Sequence, residues 1–443
     1  MKTGAVSKIA VSGFKSIAEE QAIAIRPLTV LAGVNSSGKS SFMQPLLLLK
    51  QTLDDVADPG VLLLNGPNVK FTRTNQIFSK TKSYSRVFNM AIELSTNNPT
   101  PNKWRTDKLG LSFHQKDGGG LELLTQTLYC NGQPVEFYSS LSSEEVKRRA
   151  NIVDEYDFPF LLRLIKQQDI QDPAIRVISK RCFFALNISN DKQTAWTESD
   201  LSSQPFVDQI TNLIHLPGLR GNPQRSYPKM AVGERYPGTF DNYTASIIAK
   251  WQNEKSDNLV RLANMLKHLG LTHHVKAEFL DDVQIEIQVE RLPISKKKND
   301  YVSIADVGVG VSQTLPVLVA LLTAQPGQLV YIEQPEIHLH PRAQQLLADV
   351  LCETSNRGVQ LVIETHSSIL LRALQTLLAK GKIRKEDVAF HWVHRNKEGN
   401  TTVTTAELDD NGAYGTWPVD FDDVALETEA AYLDAIEAKD IPK

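Results

Sequence analysis

Apolar and polar positions alternate with period two over residues 7–12, "SKIAVS", and 21–25, "QAIAI", predicting two strands joined by a turn around Gly13 and Lys15. "PLTVLAG" is a short apolar strand running into a Gly/Ser loop, and "SSFMQPLLLLKQTL" changes to a helical rhythm with Pro45 in its early turns. Between about 55 and 300 the pattern is mixed. "SYSRVFNMAIEL", "LGLSFHQ" and "GLELLTQTLYC" predict strands of an antiparallel sheet. "SLSSEEVKRRANIVDEYDFPFLLRLIKQQ" predicts helix broken near Pro159. "NYTASIIAKWQ" and "DNLVRLANMLKHLG" predict two more helices, the second ended by Gly270, and "DVQIEIQVERL" alternates as a strand. No heptad persists long enough for a coiled-coil arm. From 301 the rhythm changes again: helix "GVSQTLPVLVALLTA", strand "GQLVYIE", helix "PRAQQLLADVLCETS", strand "GVQLVIET", helix "SSILLRALQTLLAKG". Nearly all-apolar strands alternating with helices imply a parallel sheet covered on both faces. The expectation is an α/β chain in four parts: 1–55 and 301–400 forming one head, 56–300 an α+β insertion, and 401–443 an acidic tail.

Composition narrows the class. The 443 residues are 41% hydrophobic and 22% charged with net charge −3, an ordinary globular balance with no global field for DNA or anionic membrane. Cys130, Cys182 and Cys352 form no CxxC pair, which argues against a zinc site or disulfide framework. No signal-peptide core opens the chain and no apolar run approaches the ~20 residues a span needs, so a cytoplasmic location without membrane contact is expected.

"GVNSSGKSS" matches G-x-x-x-x-G-K-[ST] through Gly33, Gly38, Lys39 and Ser40. The two glycines let successive N–H groups turn inward around phosphate oxygens, and the following helix adds its positive end. Lys39 is placed for the β- and γ-phosphates and Ser40 for Mg²⁺, with Asn35, Ser36, Ser37 and Ser41 completing the loop. Roughly 290 residues later Glu333 ends an apolar strand, where a carboxylate holds Mg²⁺ through water opposite Ser40. His366 follows the next buried strand, at the carboxyl end where ligands bind in such sheets, with a hydrogen bond to the γ-phosphate as its expected role.

These motifs, in this order, resemble the ABC-type ATPase head shared by the RecF, SMC and OLD (overcoming-lysogenisation-defect) families, nearest to OLD-like proteins whose acidic strand ends in a "PEIHLHP"-type motif. The resemblance covers 1–50 and about 300–395, and touches the middle chiefly through "LPGLRGNPQRSY". It implies ATP and Mg²⁺ as cofactors and a head-to-tail homodimer closing around two ATP molecules. It places Leu339, His340 and Pro341 in the D-loop, His366 as the switch histidine, and "DVGVGVSQTLPVL" as the signature. There Gly310 aligns with the signature glycine, Gly308 stands where a serine is usual, and Ser312 is the available substitute. Arg220 and Arg225 are read as structural ion pairs, with a reach across the dimer toward phosphate as the alternative.

The residue after Glu333 is Gln334, where such heads carry the glutamate that deprotonates water. Glutamine positions water but accepts no proton, and losing a general base commonly costs ~10²–10⁴ in rate. Glu336, two residues on, is the nearest substitute base. Slow hydrolysis with a long-lived ATP-bound dimer is expected. The tail has Asp420, Asp422 and Asp423 but no nuclease pattern, and is read as a solvated segment packing Trp417 and Phe421 onto the head. The resemblance therefore implies a regulatory ATPase serving a separate effector in bacterial anti-phage defence. The alternatives are a RecF-like DNA-repair ATPase, using basic runs at 146–150, 180–181 and 295–300, and a scaffold that binds ATP without hydrolysing it.

Overall fold

The structure, a computed structural model, describes residues 4–80, 86–95, 106–130, 132–154, 174–189, 196–201, 204–290, 300–409, 411–414 and 430–431. The alternating amino-terminal pattern forms β1 (Val6–Ser12) and β2 (Gln21–Ala24), paired antiparallel. β3 (Leu28–Ala32) is buried at every position and leads through the Gly/Ser loop into a 3₁₀ turn (Lys39–Phe42) and α1 (Gln44–Asp54). Pro45 sits in the first turn of α1, where a missing N–H costs no helical bond. β4 (Val87–Leu94), β5 (Thr106–Gln115), β6 (Leu121–Cys130) and β7 (Gln133–Phe137) extend the first pair into an antiparallel sheet ordered β2-β1-β4-β5-β6-β7. α2 (Ser143–Asp154) follows; the break expected near Pro159 lies outside the described residues. β8 (Ala174–Lys180), β9 (Phe183–Ser189) and β10 (Trp196–Asp200) form a small antiparallel sheet.

Next come α3 (Gln204–Asn212), β11 (Ile214–Leu216), β12 (Tyr227–Pro228), α4 (Thr244–Asn253) and α5 (Asp257–His268). The Ser256 hydroxyl accepts from the Asn258 N–H to cap α5. β13 (Val275–Phe279), β14 (Gln284–Glu290) and β15 (Tyr301–Ser303) join β12 in a third antiparallel sheet. The carboxyl-terminal alternation is α6 (Val309–Thr323), β16 (Leu329–Glu333), α7 (Pro341–Asn356), β17 (Gln360–Thr365), α8 (Ser368–Ala379), β18 (Val388–Arg395) and β19 (Thr401–Thr405).

The central sheet runs β11-β16-β17-β3-β18-β19; its first five strands are parallel and β19 is antiparallel to β18. Successive side chains of a strand point to opposite faces. Val330, Ile332, Leu361, Ile363, Val30 and Ala32 accordingly join one core with α4 to α8. Leu329, Tyr331, Val362 and Leu31 join the other, with α1 and the long antiparallel sheet. The chain is α/β with both faces of its parallel sheet covered.

The sheet crosses the boundaries expected at 300 and 400. β11, from the middle of the chain, is hydrogen-bonded to β16, and α4 and α5 share the core with α6. A three-residue strand, "IHL", has too few positions to show a period. β19 lies beyond 400 as an edge strand. Trp417, Phe421, Asp420, Asp422 and Asp423 fall outside the described residues, as does 291–299. No described helix is long and apolar enough to cross a membrane.

Candidate nucleotide site

The phosphate loop is fixed from behind. Gly33 and Gly38 adopt φ of +149° and +105°. A Cβ at Gly33 would fall 2.1 Å from the Val393 carbonyl oxygen, and one at Gly38 2.3 Å from Thr401 Oγ1. Only glycine meets both the backbone angle and the approach of β18 and β19. Lys39 is buried, and its Nζ donates to the carbonyls of Gly33 at 3.0 Å and Val34 at 2.9 Å. Burial lowers its pKa, against the pull of Glu364 and Glu336.

Beside the loop lies a cleft of about 950 Å³, within the range that holds a small ligand. Asn35, Ser36, Gly38, Lys39, Ser40 and Ser41 line it from the loop, with Glu333, Gln334, Glu364 and His366 opposite. Lys15 and Arg395 add positive charge. Lys15 Nζ donates to Gln44 Oε1 at 2.9 Å and lies 5.6 Å from the Phe71 ring centroid; burial lowers its pKa. The His366 pKa is lowered by burial and by Lys39, leaving a neutral ring at pH 7. The site thus offers backbone donors, a buried lysine, a hydroxyl, two carboxylates and a neutral imidazole. That donor set fits a nucleoside polyphosphate and a hard, oxygen-seeking divalent cation. No described residues make a cluster of three or more His, Cys, Asp or Glu able to hold a metal alone, so phosphate and water oxygens would complete its shell.

The two carboxylates occupy one register position: Glu333 pairs with Glu364 across the β16–β17 ladder. The Ser40 hydroxyl donates to Glu364 Oε2 at 2.9 Å, and the buried Tyr331 hydroxyl donates to Glu364 Oε1. Burial and the neighbouring Glu333 charge push the Glu364 carboxyl up to about 7. Glu333 has other partners. Its Oε1 lies 3.3 Å from His215 Nε2, and its Oε2 accepts from the Gly218 N–H at 3.1 Å. The Asn68 amide nitrogen donates to the Gly238 carbonyl at 2.9 Å and sits 3.1 Å from His215 Nδ1. Nδ1 is therefore the acceptor and Nε2–H the donor to Glu333. Burial raises the Glu333 pKa, but His215 and Gly218 outweigh it and bring it below its ordinary value. Sequence reasoning missed Glu364, His215 and Tyr331. A signal for Glu364 existed: it ends an apolar strand as Glu333 does, two residues before the histidine.

Gln334 lines the cleft with φ of +47°, a conformation that costs a non-glycine residue on the order of 1 kcal/mol or more. Its N–H donates to the Glu364 carbonyl at 2.8 Å. The buried Arg220 guanidinium donates to the carbonyls of Glu333 at 3.3 Å and Gln334 at 2.9 Å, and burial lowers its pKa to about 10. Within its own chain Arg220 thus clamps backbone rather than forming an ion pair. Arg225 forms an exposed bidentate pair with Asp306.

Glu336 requires a correction. It is 7% exposed, and its Oε1 accepts from the Thr365 hydroxyl at 2.6 Å and the His366 N–H at 3.1 Å. It does not line the cleft; it fixes the turn carrying His366 and stands away from any water there. The signature residues are also elsewhere. Gly308 precedes α6 in open space, Gly310 packs against the His338 carbonyl, and the Ser312 hydroxyl donates to the Val309 carbonyl at 3.0 Å. None of the three lines this cleft within one chain.

A model of the family described as "AAA domain, putative AbiEii toxin, Type IV TA system" matches residues 240–372, which include Glu333, Gln334, Glu364 and His366 but not the phosphate loop. A search of curated proteins gives no match. Among solved structures the chain is similar to an SMC head bound to the C-terminal winged-helix domain of ScpA: TM-score 0.49, 13% identity, 91% of this chain and 98% of that one. It is similar to the SMC head domain from Thermotoga maritima at TM-score 0.39 and 12% identity, covering 91% and 99%. It is similar to a Pyrococcus furiosus SMC head with extended coiled coil bound to the C-terminal domain of ScpA at TM-score 0.45 and 12% identity, covering 98% and 99%. The α/β class rests on the sheet and phosphate loop described above, and residues 240–372 are similar to the AAA-domain model.

Proposed function

We propose that the chain is an ABC-type ATPase that binds ATP with Mg²⁺, hydrolyses it slowly, and uses the bound state as a switch. The observation that carries this is the single cleft in which Lys39 and Ser40 of the phosphate loop face Glu333, Gln334, Glu364 and His366. Lys39 takes the β- and γ-phosphates, Ser40 with a strand-end acid takes Mg²⁺, and His366 donates to the γ-phosphate. Mg²⁺ supplies neutralisation of charge on the phosphate oxygens. Gln334 orients water without accepting its proton, and the burial of Glu336 leaves that shortfall uncorrected.

Gly308, Gly310 and Ser312 lie off the cleft of their own chain, which supports their meeting the nucleotide of a second copy in a two-fold dimer. Exposed Val309 on the same helix start, and Leu219 beside the cleft, suit such a contact. The effector is read as a separate protein in an anti-phage or toxin–antitoxin-type module, in line with the matched family's description. A non-hydrolysing scaffold is the second reading, favoured by a glutamine at 334, which accepts no proton from water.

The test follows phosphate release and particle size together in Mg²⁺-ATP. Slow release, lost in Lys39→Ala and raised in Gln334→Glu, is the expected result. No release above the Lys39→Ala background, with ATP still changing the assembly, leaves the scaffold reading.

A further inference from the structure

We infer that Glu364, not Glu333, is the protein carboxylate that takes the divalent cation at Ser40, and that Tyr331 positions it. The inference rests on the nucleotide reading above and deepens it. The sheet order places β17 next to β3, with β16 one strand further out. Adjacent strands are about 4.8 Å apart, so Glu333 starts roughly 10 Å across the sheet from the phosphate-loop strand and Glu364 half that. Leu31, Glu364 and Glu333 share one register row, and alternation sends Tyr331, Glu333 and Glu364 to the same face. Glu364 is the acid that reaches Ser40, at 2.9 Å.

The remaining contacts divide the labour. Both Glu333 oxygens are engaged away from Ser40, by His215 and the Gly218 N–H, and the Tyr331 hydroxyl sits between the two acids as a partner of each. Glu364 is held at one oxygen by Tyr331 and offers the other to the Ser40 hydroxyl. A hydroxyl and a carboxylate oxygen side by side are the protein's share of a hard-cation shell. Tyr331, fully buried and stacked on the His215 ring at 5.3 Å and 9°, fixes the carboxylate's orientation as outer partners of metal ligands do. A buried carboxylate and a half-buried one in adjacent register repel, and a dication at the inner one offsets that repulsion.

The experiment titrates Mn²⁺ into the full chain with a non-hydrolysable ATP analogue and reads free Mn²⁺ by electron paramagnetic resonance. Analogue binding is measured with Mn²⁺ and in EDTA with a fluorescent derivative. Glu364→Gln is expected to lower at least tenfold the ratio of analogue affinity with Mn²⁺ to that in EDTA, so that a metal-independent change in analogue binding cancels. Glu333→Gln is expected to lower that ratio less than threefold. Tyr331→Phe, which keeps the charge, is expected to lower it severalfold, and it carries the test if Glu364→Gln does not fold. A wild-type ratio in Glu364→Gln overturns the assignment, as does a larger loss in Glu333→Gln. If the wild-type chain binds no analogue with or without metal, the nucleotide reading falls as well, a result distinct from either variant outcome.

Discussion

β16 and β17 lie side by side, run parallel, are apolar almost throughout, and end in glutamates paired in register. Glu333 meets a histidine and a backbone N–H, donors that stabilise the charged form and hold its pKa low. Glu364 meets two hydroxyls in a fully enclosed position beside another carboxylate, and its pKa is pushed up to about 7. Apart from Tyr331 of β16, the two strands' own sequences do not account for this. The neighbours do: β11 with His215 lies beyond β16, and β3 with the phosphate loop lies beyond β17.

The most severe way to break the comparison removes what both acids face. Lys39→Ala should lower ATP affinity by about 100-fold or more and bring phosphate release to background, read by fluorescent-nucleotide titration. Next is the residue joined to Glu333. Gln334→Glu supplies the missing base and should raise phosphate release by ~10²-fold in single-turnover assays; an unchanged rate would place the slow step elsewhere, in dimer opening or product release.

Smaller effects separate the two acids' surroundings. His215→Ala deletes a buried, stacked ring and strands Glu333, and should cost about 2–4 kcal/mol in urea unfolding. Tyr331→Phe removes one hydroxyl and should cost about 1.5–3 kcal/mol. The last effect, of similar size, is in pH dependence without divalent cation. The folded Glu364 carboxyl sits at about 7, above its ordinary value of 4.5, so the folded chain holds that proton more tightly. Its contribution is full below the unfolded value and is lost as pH rises through about 7. Wild-type stability relative to Glu364→Gln should therefore decline from pH 5 to 7.5; a flat difference would mean that the carboxyl titrates normally.

Legibility followed the range of the interactions. The loop of Gly33, Gly38, Lys39 and Ser40, the apolar strand before it and the α/β rhythm after 301 are local patterns, and the structure has them where the spacing placed them. Glu336 is close to Glu333 in sequence but does not line the cleft. The chain turns at Gln334 and His338, both at positive φ, and carries Glu336 beneath Thr365. Arg220 showed only as a charge in a Pro/Gly-rich stretch, and its clamp on the Gln334 carbonyl joins residues 114 positions apart.

The sequence alone determined the strands and helices of the carboxyl-terminal alternation from α6 to α8 and the Gly/Ser loop with the P-loop spacing. Backbone angles, side-chain period and glycine's freedom act over a few residues. Which strand lies next to the phosphate loop is a matter of sheet order. That order, β16-β17-β3, reflects how three separate segments bury their apolar faces between α1 and the helices opposite. Only the assembled sheet puts β17 between the loop and β16, and so decides which of two similar glutamates Ser40 meets.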